Sequence, residues 1–194
     1  MALILASTSA ARRAMFENAG IEAQFLPSGV DESALKAGFA GTPGELAQAL
    51  AQAKAAAVAQ GRVEDFVIGA DQLLVCDAKI FDKPVDLSEA AAHLRLLSGQ
   101  VHELVTAVCV MRGEAALWRH VETVRLTMRP LSEAFISRYL KAEGSRILGC
   151  VGGYRLEGWG AQLFERVEGD YFTVLGLPLL PLLGFLRESG ALAG

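Results

Sequence analysis

Phe66-Val67-Ile68-Gly69-Ala70-Asp71-Gln72 is the stretch on which the fold turns. Five apolar or small residues in succession, with no polar alternation, predict a strand covered on both faces, and an acid follows at its end. Upstream, Thr42-Pro43-Gly44-Glu45 carries a cap, a proline suited to the first helical position and a glutamate able to close a capping box, so a helix is expected from there to about Gln60, before Gly61. Further upstream, Leu3-Ile4-Leu5-Ala6 reads as a short strand, Ser7-Thr8-Ser9 as a tight turn and Ala10 to Asn18 as a helix stopped at Gly20. Downstream, Asp86-Leu87-Ser88-Glu89 opens a helix that closes before Gly99 with Leu94 and Leu97 inward. Val101 to Met111 and Leu117 to Met128 alternate as two long strands around Arg112-Gly113-Glu114, a hairpin pattern. Ser132 caps a helix ending near Gly144, glycines crowd residues 149–160, and Pro178 starts a last amphipathic helix. Interleaved helices and strands with one obligatory hairpin predict an α/β fold built on a mixed sheet with flanking helices.

The totals narrow the class. With 194 residues, 52% apolar and 21% charged, the chain can bury one core, and a single domain over 1–194 is expected. A net charge of -4 argues against electrostatic binding to nucleic acid or an anionic membrane. Cys76, Cys109 and Cys150 are odd in number and form no C-x-x-C pair, which points to a reducing, cytoplasmic setting rather than to disulfides or thiolate zinc. No apolar run is long enough for a membrane span, because Pro178, Pro181 and Gly184 break the richest one.

Four groups of residues could carry chemistry. Ser7, Ser9, Arg12 and Arg13 surround a strand-to-helix turn, where helix N–H groups, hydroxyls and guanidinium groups suit a polyphosphate; a serine cap with two solvated arginines is the competing reading. Asp71 at a strand end could hold a divalent metal or take a proton from water, or could simply cap a turn, and Lys83, before Pro84, could bring an ammonium to the same place. Asp31 and Glu32 are adjacent acids of the kind magnesium uses alongside substrate phosphates, and Lys54, on a helix where most lysines face water, matters only if it comes near those phosphates. The segment Gly149 to Gly160 could approach a planar ligand, with Tyr154 and Trp159 beside it and Glu157 reading its donors; a flexible loop with two core aromatics is the alternative. Neither G-x-G-x-x-G after a strand nor a Walker-type G-x-x-x-x-G-K-[ST] occurs.

Leu5-Ala6-Ser7-Thr8-Ser9-x-x-Arg12, Val30-Asp31-Glu32, Gly69-Ala70-Asp71, Lys83-Pro84, Leu97-Ser98-Gly99-Gln100-x-His102, Gly152-Gly153-Tyr154 and Gly176-Leu177-Pro178-Leu179 together resemble the Maf family of nucleoside triphosphate pyrophosphatases across almost the whole chain. The resemblance implies a mixed-sheet α/β architecture with two lobes around a central cleft, as a homodimer. It implies cleavage of a noncanonical or modified nucleoside triphosphate to a monophosphate and pyrophosphate with a divalent cation, magnesium or manganese. Carried over residue by residue, it makes Asp71 the catalytic acceptor, gives Ser7, Arg12, Lys54 and Lys83 to the phosphates, and sets Glu32 with Asp71 at metal or water. A nucleotide-binding regulator of cell division is the non-enzymatic alternative.

Gln72, Glu157 and Leu163-Phe164-Glu165-Arg166 are similar to the branch acting on 7-methyl-GTP, whereas the dTTP and UTP branch has Asp-Thr and a glutamine at the first two places. Ala11 departs from the large aromatic of the 7-methyl-GTP branch. Chemistry argues the same way: a carboxylate accepts the N–H donors of guanine, and a cationic methylated base is favoured by negative charge and by the face of Trp159.

Overall fold

The computed structural model describes residues 1–192. Its strands are β1 (Leu3–Leu5), β2 (Gln24–Phe25), β3 (Phe66–Cys76), β4 (Lys79–Phe81), β5 (Val101–Arg112), β6 (Ala115–Met128) and β7 (Phe164–Glu168). Its helices are α1 (Ala10–Asn18), α2 (Glu32–Ala37), α3 (Pro43–Ala59), α4 (Leu87–Leu97), α5 (Glu133–Glu143), α6 (Tyr171–Val174) and α7 (Leu179–Glu188). The strands form one sheet in the order β2-β1-β3-β5-β6-β7, with β4 paired to β3. β1 runs parallel to both β2 and β3, with Ile4 opposite Gln24 and Val67. β4 is antiparallel to β3 and β7 to β6, so the sheet is mixed, as the sequence predicts.

Local chemistry accounts for the element ends. Thr42 and Glu45 close a reciprocal capping box on α3, Asp86 caps α4 and Ser132 caps α5. Two residues, Gly113 and Glu114, separate β5 from β6, too few for anything but a hairpin. One feature departs from the sequence reading. β3 does not stop at Ala70: Leu73, Leu74 and Cys76 continue its buried pattern, so Asp71 lies in mid-strand rather than at a strand end. Of the adjacent acids, Asp31 accepts hydrogen bonds from the Ser33 and Ala34 N–H groups and caps α2, and Glu32 is the first residue of that helix.

The chain divides into two compact units. The first comprises Met1–Gln72, Thr106–Glu122 and the segment from Gly176 onward; the second comprises Leu73–Val105 and Thr123–Leu175. Ile4, Leu5, Phe16, Leu50, Ile68, Val108 and Leu182 are among the buried residues of the first. In the second, Leu74, Leu94, Leu97, Leu104, Leu126, Tyr139 and Ile147 belong to one continuous apolar cluster. No helix among the described residues is long and apolar enough to cross a membrane.

Candidate active site

In the first unit a glycine decides the geometry. A Cβ on Gly69 would overlap the carbonyl oxygen of Ala51 and the amide of Ala55, so α3 lies directly against β3 at that point. Asp71 is two residues on and projects from the same face of the strand. Lys54, immediately before Ala55 on α3, therefore reaches it: its Nζ donates to Asp71 Oδ1 at 2.5 Å and sits 2.6 Å from Glu32 Oε1. Lys54 is 8% exposed and Asp71 5%, far more buried than a lysine or an aspartate normally is. Asp71 Oδ2 is buried without a hydrogen-bond partner. Lys54, expected at the phosphates, here bridges two carboxylates, the partly exposed Glu32 and the buried Asp71, and the buried one needs a countercharge.

The turn before α1 is organised around Arg12. Ser9 caps the helix, its Oγ accepting from the Arg12 N–H at 3.4 Å, and Ser7 Oγ accepts from the Ser9 N–H at 3.2 Å. The Arg12 side chain is buried: Nε donates to the Gly176 carbonyl at 2.7 Å and Nη1 to the Ala70 carbonyl at 2.9 Å. Burial lowers its pKa, with Asp71 and Glu32 acting in the opposite direction. Arg13, one position and about 100° further round the helix, is exposed and lies over the Phe25 ring, 4.5 Å from its centroid. The two arginines thus do different things, and Arg13 does not share the surroundings of Arg12. Ala11 is half-buried. Gln72 donates from Nε2 to the hydroxyl of the fully buried Thr106 at 2.9 Å.

Among the described residues no group of three or more His, Cys, Asp and Glu side chains could hold a metal ion. Magnesium does not need such a group, since one or two carboxylates plus substrate phosphates suffice. The orphaned Asp71 Oδ2, with Glu32 tied to the same ammonium, is a donor set that fits a hard divalent cation.

In the second unit, Lys83 is exposed and close enough to Cys150 to act on its thiol. Burial, reinforced by Glu157, pushes that thiol up to about 11 against the opposing pull of Arg155 and Lys83, so it is protonated near neutrality. The glycine-rich segment is a series of short 3-10 turns rather than a loose loop. Tyr154 is a core residue, as one of the two readings has it: its hydroxyl lies 2.8 Å from His102 Nε2. Trp159 is 43% exposed. Glu143, fully buried, organises this region: it accepts from the Trp159 N–H at 2.8 Å and from Arg155 Nη1 at 3.4 Å, while Arg155 Nε donates to Glu157 at 3.0 Å. Glu143, Thr106 and the close approach at Gly69 do not stand out in the residue order. A signal existed for the first, because an acid in the last turn of a helix opposes the helix dipole and needs a compensating partner.

A family model described as Maf-like protein matches residues 2–189. A nucleoside triphosphate pyrophosphatase of Granulibacter bethesdensis is 52% identical over 195 residues, covering 99% of both chains. A 7-methyl-GTP pyrophosphatase of Rhizobium meliloti is 49% identical over 193 residues, covering 98% of this chain and 97% of its own. Another 7-methyl-GTP pyrophosphatase, of Rhizobium etli, is 51% identical over 195 residues, covering 99% and 98%.

Proposed function

The chain belongs to the Maf family, and from that premise we propose that this nucleoside triphosphate pyrophosphatase takes 7-methyl-GTP, releasing 7-methyl-GMP and pyrophosphate. The observation that carries the chemistry is the buried Asp71 carboxylate, with Oδ1 held by Lys54 and Oδ2 left to accept a proton. Asp71 Oδ2 takes a proton from water, the water oxygen bonds to the α-phosphorus, and the bridge to the β-phosphorus breaks as pyrophosphate leaves. Lys54 holds Oδ1 and so orients the carboxylate, and the Ser7 to Ser9 turn meets phosphate oxygens. A divalent cation, magnesium or manganese, held by Asp71 and Glu32, would supply neutralisation of phosphate charge.

The choice of base rests on the names of the relatives and on Glu157 and Trp159. A carboxylate accepting from guanine and an indole face turned to a cationic ring both favour a methylated guanine. The test is a panel of 7-methyl-GTP, GTP, UTP and dTTP with product identification in magnesium and in manganese. 7-Methyl-GTP should give the highest kcat/KM with pyrophosphate as first product; a preference for UTP or dTTP sinks the assignment of the base, and orthophosphate as first product sinks the reaction.

A further inference from the structure

The motif that places Arg12 beside a phosphate-binding turn does not explain where its side chain goes. A phosphate ligand keeps its guanidinium fork open to the substrate. Here Nε and Nη1 are turned inward onto the protein's own backbone, at the carbonyls of Gly176 and Ala70. Both acceptors are chosen by position. Ala70 immediately precedes Asp71, so the bond to its carbonyl fixes the peptide from which the carboxylate projects. Gly176 precedes α7 and has φ 101°, a conformation that L side chains rarely adopt, so its carbonyl is presented by a backbone only glycine readily supplies. A third, longer contact from Nη1 to Ser7 Oγ, at 3.4 Å, ties the turn to the same group.

We infer that Arg12 is a positioning residue, which locks the Ala70–Asp71 peptide of β3 to the α1 turn and to the segment before α7, rather than a ligand of the substrate phosphates. The inference rests on Asp71 being the catalytic carboxylate. Its physical logic is that three chain segments far apart in sequence meet at one planar group, whose donors are set at fixed angles and cannot drift as a lysine's would. Orientation of a general base within a fraction of an ångström is worth orders of magnitude in rate.

Arg12→Lys separates the two roles. It keeps the charge that a phosphate ligand needs and loses the fork that two carbonyls need. A positioning role predicts kcat down by at least about tenfold, with KM for the nucleotide and inhibition by pyrophosphate within about threefold of wild type. The reverse pattern, with kcat retained while KM and the pyrophosphate inhibition constant both rise about tenfold, overturns the proposal. Should the variant fail to fold, the wild-type protein still decides: the Arg12 Nε–H signal in nitrogen-15 NMR should exchange with solvent far more slowly than that of Arg13, and equal exchange overturns it. That measurement needs no turnover, so it stands apart from any failure of the nucleotide assignment.

Discussion

Gly69 lies so close to Ala51 that a methyl group on its Cα would occupy the space of the Ala51 carbonyl. The sheet and α3 meet there without an intervening side chain, and Lys54 reaches Asp71 as a consequence. Gly69→Ala must therefore push α3 away from β3, at a cost of about 1–3 kcal/mol for overpacking. Chemical denaturation should show that loss, and hydrolysis should fall with it because the ammonium is drawn off the carboxylate. A variant with wild-type stability and rate would mean that the approach is not tight.

Lys54 and Asp71 are a buried charge pair, which makes the consequences of removing one or both distinct. Lys54→Met leaves a carboxylate unpaired in a dry site and should cost about 3–5 kcal/mol. Asp71→Asn together with Lys54→Met removes both charges and should recover much of that loss while leaving the enzyme inactive. A double-mutant cycle on urea midpoints reads the coupling directly. If the double variant is less stable than Lys54→Met alone, the pair is not what neutralises Asp71.

Much of this arrangement was legible in residue order. Capping residues announced α3, α4 and α5, and the apolar run ahead of Asp71 announced β3. The length of β3 was not legible, because a polar Asp71-Gln72 pair inside a strand reads as its end unless the partners that satisfy it are known; Lys54 and Thr106 lie 17 and 34 residues away. The burial of Lys54 was equally hidden, since an alanine-rich helix gives no sign of which lysine faces a glycine in a distant strand. Arg12 and Arg13 looked alike as adjacent cations, although one position of helix sends them in different directions. Glu32 with Asp71 was anticipated as a pair, and the ammonium that joins them was not.

His102 offers a pH test of the second unit. Burial lowers its pKa to about 4. Above the unfolded value near 6.5 both states are neutral and stability is unaffected; as pH falls from there toward 4, only the unfolded chain takes up the proton, so stability drops. The full loss is about 3 kcal/mol at the bottom of that window, taking the shift at face value. Thermal melts of wild type and His102→Gln between pH 7 and pH 4 should diverge in slope, with the variant flatter. Parallel curves would show that His102 does not titrate in this way.

The tip of the β3–β4 hairpin carries two non-glycine residues in the left-handed region, Asp77 at φ 48° and Ala78 at φ 61°. Aspartate tolerates this conformation better than alanine, whose Cβ meets the carbonyl at a cost of roughly 1–2 kcal/mol. Ala78→Gly removes that strain and gives back part of it in unfolded-chain entropy, for a net gain of about 0.5–1 kcal/mol. The melting temperature should rise. A fall would mean that the alanine is held there by packing rather than tolerated.

Glu157→Gln examines the base. Arg155 is held by the buried Glu143 as well as by Glu157, so neutralising Glu157 leaves the 155–159 turn with its principal anchor, the bond from the Trp159 N–H to Glu143 included. The fold should survive, and any change in selectivity then belongs to the lost charge. A carboxylate that accepts from guanine and attracts a cationic ring contributes about 1.5–3 kcal/mol through charged hydrogen bonds, and a neutral amide keeps the geometry without the charge. The ratio of kcat/KM for 7-methyl-GTP over UTP should therefore fall by about tenfold or more in the variant, with the larger part of the loss on the methylated nucleotide. An unchanged ratio would remove Glu157 from base selection and leave Trp159 and Gln72 as the residues to substitute next.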